Sequence, residues 1–118
     1  DIYPYIVENE QINIVPMLKA IIKDLKNRIK KSTIAESFHR TIIDFTLTAL
    51  RRISSATDID KVVLSGGVMQ NKIIVEGLCH ILQKNNFTVF LPSSLPTNDG
   101  SISVGQIMVA NHIMKDDL

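Results

Sequence analysis

The sequence has one cysteine, Cys79, which excludes an internal disulfide and any multi-cysteine metal site and fits a reducing, cytoplasmic setting. No apolar run reaches the roughly 18 residues of a membrane span, and no secretory leader is visible. Charge of one sign is scarce too. The balance is +1, with 13 basic against 12 acidic residues, so bulk attraction to nucleic acid or a membrane surface is not expected. Repeats and low-complexity segments are absent. With 118 residues, 45% of them apolar, the chain suffices for one small soluble unit with a thin core. It begins at Asp1, without methionine and already in strand-like sequence, and reads as a single partial domain of a longer polypeptide.

The chain is organised around Lys61–Glu76. Val62, Val63 and Leu64 form a β-branched run that meets Gly66 and Gly67 and gives way to helical spacing at Ile74, Val75 and Leu78. Adjacent glycines permit positive φ and remove both β-carbons, so a ligand can lie against the main chain. A helix opening just beyond adds free N–H groups and the positive end of its dipole, a setting for phosphate. The turn matches neither common phosphate fingerprint. No lysine-serine pair follows, and no third glycine completes a dinucleotide loop.

Upstream, Ile2–Val7 and Gln11–Val15 read as a β-hairpin. Pro16 opens a helix with Leu18, Ile21, Ile22, Leu25 and Ile29 on one side and Lys19, Lys23, Lys26 and Lys30 on the other. A second helix is expected from Thr33, capped by a T-x-x-E box with Glu36, to about Ser54. Its buried stripe is Ile34, Phe38, Ile42, Phe45 and Ala49, with His39 at the margin. Downstream of the central helix, Asn85 and Asn86 suit a left-handed cap, and Phe87–Leu91 is a strand with Phe87, Val89 and Leu91 on one face. Cys79 packs as a small hydrophobe. The loop Pro92–Asn98 then delivers Asn98, Asp99 and Gly100 to a last helix holding Ile102, Val109 and Ile113. Asp99 has two readings, a helix N-cap or a carboxylate for a divalent cation.

Strand, helix, strand, helix in this order predicts an α/β fold with parallel central strands, a right-handed crossover and both turns facing one crevice at the strands' carboxyl ends.

Ser65-Gly66-Gly67-Val68-Met69-Gln70-Asn71, then Pro96-Thr97-Asn98-Asp99-Gly100-Ser101-Ile102 and Gly105-Gln106, with Ile34-Ala35 and Phe38-His39 before them, resemble the C-terminal end of the hydrogenase-maturation carbamoyltransferase family. The resemblance implies the second half of a fold shared with sugar kinases, actin and heat-shock ATPases. It implies a carbamoyl-adenylate made from carbamoyl phosphate and ATP. The carbamoyl group then passes to the C-terminal cysteine of a partner maturation protein and becomes cyanide in a nickel-iron centre. On this resemblance Gly66 and Gly67 press against the adenosine and phosphate, Ser65 and Asn71 add hydrogen bonds, and Asp99 is a metal ligand.

The family completes that metal site, for which iron or zinc would serve, with upstream histidines. His39, His80 and His112 sit in no matching motif. The isolated chain is therefore expected to be inactive, and an exposed sheet edge would favour a homodimer of the fragment. The rival resemblance is to threonylcarbamoyl transferases, which modify transfer RNA but carry the later Asp and Asn in reverse order. Nine basic against three acidic residues over Lys19–Arg52 is the feature that would favour RNA. A non-catalytic nucleotide-binding module of the same fold is a further alternative.

Overall fold

The computed structural model describes residues 1–116. A short hairpin, β1 (Ile6–Glu8) and β2 (Gln11–Asn13), opens the chain. Its two-residue turn sets Asn9 and Glu10 at φ 48° and 62°, the left-handed pair that matches the twist of hairpin strands. Helix α1 (Val15–Lys26) follows with Pro16 in its first turn, and α2 runs from Lys31 to Thr57. Next come β3 (Lys61–Val63), a 3-10 turn (Gly67–Gln70), α3 (Lys72–Lys84) and β4 (Thr88–Phe90). A second 3-10 turn, Asp99–Ser101, leads into α4 (Ile102–Asp116).

Strands β3 and β4 pair in parallel, Lys61 to Thr88, Val62 to Val89 and Val63 to Phe90, as the β-α-β pattern requires. The hairpin does not join them. It forms its own two-stranded sheet among the described residues.

Alternation along β3 turns Val62 and Leu64 into the core and leaves Val63 68% exposed on the far face. The core lies between that sheet, α2 and α3, and gathers Leu47, Val62, Leu64, Ile74, Leu78, Leu82 and Phe87. Gly77 lets α3 close on α2, because a β-carbon there would collide with the Ile43 side chain.

The first eight residues are tied to the helices by polar contacts. Tyr3 N–H donates to Thr41 Oγ1 at 2.8 Å, and the fully buried Thr41 hydroxyl donates to Ser37 O at 2.7 Å. The Tyr3 hydroxyl donates to Asp24 at 2.7 Å, and that of Tyr5 to Asp44 at 2.6 Å. Burial, and then the Asp24 carboxylate, push the Tyr3 hydroxyl from 10.0 up to about 12. The folded chain thus holds this proton more tightly than the unfolded one. Its contribution is whole below pH 10 and is lost as pH rises towards 12. Tyr3→Phe should lose stability less steeply than wild type across that window in alkaline denaturation followed by circular dichroism.

Four expectations are corrected. Helix α2 starts at Lys31, so Thr33 falls inside the first turn and no side chain caps it, while Glu36 pairs with Arg40 at 2.7 Å. It also runs on to Thr57, where Asp58 in the left-handed conformation returns its N–H to Ser54 O. The expected stripe of α2, widened by Ile43, Leu47 and Leu50, is buried at Ile34 and Leu47 and half-buried elsewhere, because polar Ser37 and Thr41 take buried positions beneath Tyr3. Strand β4 is shorter than expected, and Leu91, beyond its end, is 47% exposed. Asn86, by contrast, adopts the left-handed cap at φ 65°.

The molecule measures 65 × 31 × 26 Å with a radius of gyration of 17.9 Å, against about 13 Å for a compact chain of this length. The length comes with unshared apolar surface. In α1 only Met17 is buried, while Leu18, Ile22 and Leu25 stand 46–52% exposed, and Ile29, expected on the same helix, lies beyond its end and is 42% exposed. In α4, Ile102, Ile107, Met108, Val109, Ile113 and Met114 are all exposed.

Candidate functional site

The first turn singled out by the sequence leaves the carboxyl end of β3 directly, and the second follows β4 after the loop 91–98. After β3 the chain passes through Ser65 and Gly66 into the 3-10 turn. Gly66 takes φ +101°, which an L side chain rarely adopts, whereas Gly67 does not have positive φ. One glycine, not two, is thus required by backbone conformation. A β-carbon at either would meet nothing within 4 Å, so the space over both is open. Met69 N–H closes on Gly66 O and Asn71 N–H on Val68 O, each at 3.0 Å. The N–H groups of Gly67 and Val68 precede the turn's first bond and, as at any helix start, have no carbonyl partner within it.

Asn71 is the N-cap of α3. Its Oδ1 accepts from Ile73 N–H at 3.1 Å and Ile74 N–H at 3.3 Å, and its Nδ2 lies 3.0 Å from His39 Nε2. One amide N–H therefore remains for a ligand. Asn71→Ala should lower stability by about 1 kcal/mol, and Asn71→Ser should recover most of it in chemical denaturation. Ser65 is exposed.

At the second turn the cap is Asn98, whose Oδ1 accepts from Gly100 N–H at 3.0 Å. The Ser101 hydroxyl fastens the turn by donating to Pro96 O at 2.8 Å, with Asn98 O at 3.0 Å. Asp99 is exposed and its carboxylate makes no hydrogen bond or ion pair among the described residues, so the N-cap reading passes to its neighbour. A free carboxylate beside a helix start is a ready oxygen donor. It is also alone: among the described residues no three His, Cys, Asp or Glu side chains converge as a metal group.

The site is an edge. Two hollows in the surface lie elsewhere, one lined by Val7, Ile12, Arg52 and Ile53, the other by Ile2, Ile43, Gly77 and His80. No helix among the described residues is long and apolar enough to cross a membrane. The His39 contact with Asn71 escaped the sequence, where His39 registers as a boundary residue and as part of the Phe38-His39 resemblance.

These features define a class, an α/β subdomain with a parallel strand pair in which each strand is followed by a turn that opens a helix. Residues 1–106 match the family described as "Carbamoyltransferase, Kae1-like Domain, second subdomain". The carbamoyltransferase HypF of Synechocystis is 32% identical over 110 residues, covering 90% of this chain and 14% of that protein. A solved full-length HypF, in a phosphate- and nucleotide-bound form, superposes with TM-score 0.90 at 36% identity over 97% of this chain and 16% of that one. A tRNA N6-adenosine threonylcarbamoyltransferase of Ehrlichia canis is 33% identical over 88 residues, 70% of this chain and 25% of that protein. The chain belongs to the hydrogenase-maturation carbamoyltransferase family and corresponds to its Kae1-like second subdomain. It spans about one seventh of the Synechocystis relative.

Proposed function

We propose that this chain forms the nucleotide-facing edge of a carbamoyl-transfer domain, active within a longer protein and inert alone. The observation that carries this reading is the open glycine turn at the carboxyl end of a parallel strand, in a chain that also presents an unbonded Asp99 carboxylate. The solved relative in a phosphate- and nucleotide-bound form supports it.

The proposed reaction takes the carbamoyl group of carbamoyl-adenylate, itself made from carbamoyl phosphate and ATP, to the C-terminal cysteine of a partner protein. The thiolate sulfur bonds to the carbamoyl carbon, the carbon–oxygen bond to the adenylate phosphate breaks, and AMP departs with the electron pair. Gly66 and Gly67 admit the adenylate against the main chain, and the leading N–H groups of the turn face the departing phosphate. Ser65 and the remaining N–H of Asn71 hydrogen-bond at the same edge. Asp99 contributes one carboxylate to an iron or zinc site whose other donors come from outside this chain.

The test joins this chain to the upstream segment its relatives carry and supplies labelled carbamoyl phosphate with ATP. Label is expected on a partner protein ending in cysteine. Label on transfer RNA, when threonine is supplied as well, would transfer the assignment to the threonylcarbamoyl class. Label on neither would leave a nucleotide-binding module without chemistry.

A further inference from the structure

His39 on α2 and Asn71 at the start of α3 are 32 residues apart and hydrogen-bonded. The contact has a direction. Asn71 Oδ1 already accepts the N–H groups of Ile73 and Ile74, so its amide nitrogen faces the ring and can only donate. His39 Nε2 is then the acceptor, and Nδ1 carries the proton, which it gives to Ala35 O at 2.7 Å. Each polar atom in the relay has one role.

Asn71 is also the pivot between the glycine turn and α3. Its N–H closes the turn on Val68 O, its carbonyl accepts Val75 N–H, the first bond of α3, and its side chain caps that helix. The turn has little else to hold it. None of its residues is buried, and Met69 alone is partly packed against the core. A rotation of the Asn71 amide would exchange its oxygen for its nitrogen, releasing the cap and leaving the turn on its backbone bonds alone. The lone pair of His39 opposes that rotation, because an amide oxygen turned towards Nε2 would set two acceptors face to face.

We propose that His39 is a positioning residue for the glycine turn. It fixes the orientation of the Asn71 amide and, through it, the Gly66–Gln70 backbone. The link from that turn to nucleotide rests on the function proposed above; the link from His39 to the turn does not. The charged neighbours do not substitute for the ring, since Glu36 pairs with Arg40 at 2.7 Å and Lys72 with Glu76 at 3.6 Å.

The experiment compares wild type, His39→Gln and His39→Leu in the full-length protein. Glutamine keeps an acceptor near the Nε2 position, and leucine removes it. Amide hydrogen exchange is read at Met69 and Asn71, the donors that hold the turn, and at Leu78 and Leu82 in the core of α3. In His39→Leu the turn amides should exchange about tenfold faster, the equivalent of one lost hydrogen bond, with Leu78 and Leu82 unchanged. His39→Gln should stay within about twofold of wild type.

Unchanged turn exchange in His39→Leu would overturn the proposal, as would acceleration along all of α3 or failure of glutamine to rescue. The KM for ATP in carbamoyl transfer is measured in parallel. A KM raised in His39→Leu at nearly constant kcat and restored in His39→Gln supports both links. Faster turn exchange with an unaltered KM supports the positioning role and overturns the nucleotide reading.

Discussion

Asp99→Asn in the full-length enzyme should cut carbamoyl transfer by at least about a hundredfold, the scale on which loss of a charged group at a reacting phosphate is felt. Bound metal should fall with it, as measured by elemental analysis of the purified protein. The thermal midpoint should hardly move. Asn98 does the capping and Ser101 ties the loop to Pro96, so nothing in the turn leans on the Asp99 carboxylate. The amide has the same shape and gives up only a favourable interaction with the start of α4, worth up to about 1 kcal/mol. A variant that unfolds several degrees early while keeping its metal would make Asp99 a structural residue after all.

Gly67→Val should weaken nucleotide binding at this edge by about a hundredfold, equivalent to about 3 kcal/mol, while the chain folds as before. The two glycines separate backbone need from ligand need. Gly66 has φ +101°, so any side chain there strains the turn whatever the ligand does. Gly67 has no such φ, and a β-carbon on it would meet nothing within 4 Å. Space unused by the protein is the space a nucleotide would fill, and a branched side chain would occupy it first. Equal affinity in a folded Gly67→Val protein would sink the assignment, whereas instability in Gly66→Val would not bear on it. Calorimetric titration with the adenylate product, alongside a melting curve, distinguishes the outcomes.

The local grammar of the sequence told most about the fold. Strand, glycine and helix after Lys61, Pro16 in a first turn and Asn86 as a left-handed cap are set by neighbours within a few residues, and each stands where its chemistry predicts. The hairpin forms too, but its strands shrink to Ile6–Glu8 and Gln11–Asn13 from the expected Ile2–Val7 and Gln11–Val15. The start of α2 misled because a serviceable capping box lies inside the helix, and a box cannot announce that the helix began two residues before it. Thr41 was illegible for a different reason. Its hydroxyl is satisfied by Ser37 O and by the Tyr3 N–H 38 residues away, so only the tertiary structure makes a buried threonine harmless. The candidate site divides the same way. Gly66, Gly67 and Asp99 are motif residues, whereas the engagement of Asn71 by His39 depends on how α2 crosses the start of α3.

Asp99 stands at the head of a helix whose apolar side chains, Ile107 to Met114, are 57–68% exposed and find almost nothing among the described residues to bury them. Fifteen residues are marginal as a helix in water without such burial. The order of the carboxylate is therefore linked, in the thermodynamic sense, to whatever covers α4: a surface that buries those side chains raises affinity for a ligand of Asp99, and that ligand tightens the hold on the surface by the same factor. On the role proposed for Asp99, assembly and cation binding would be two readings of a single equilibrium.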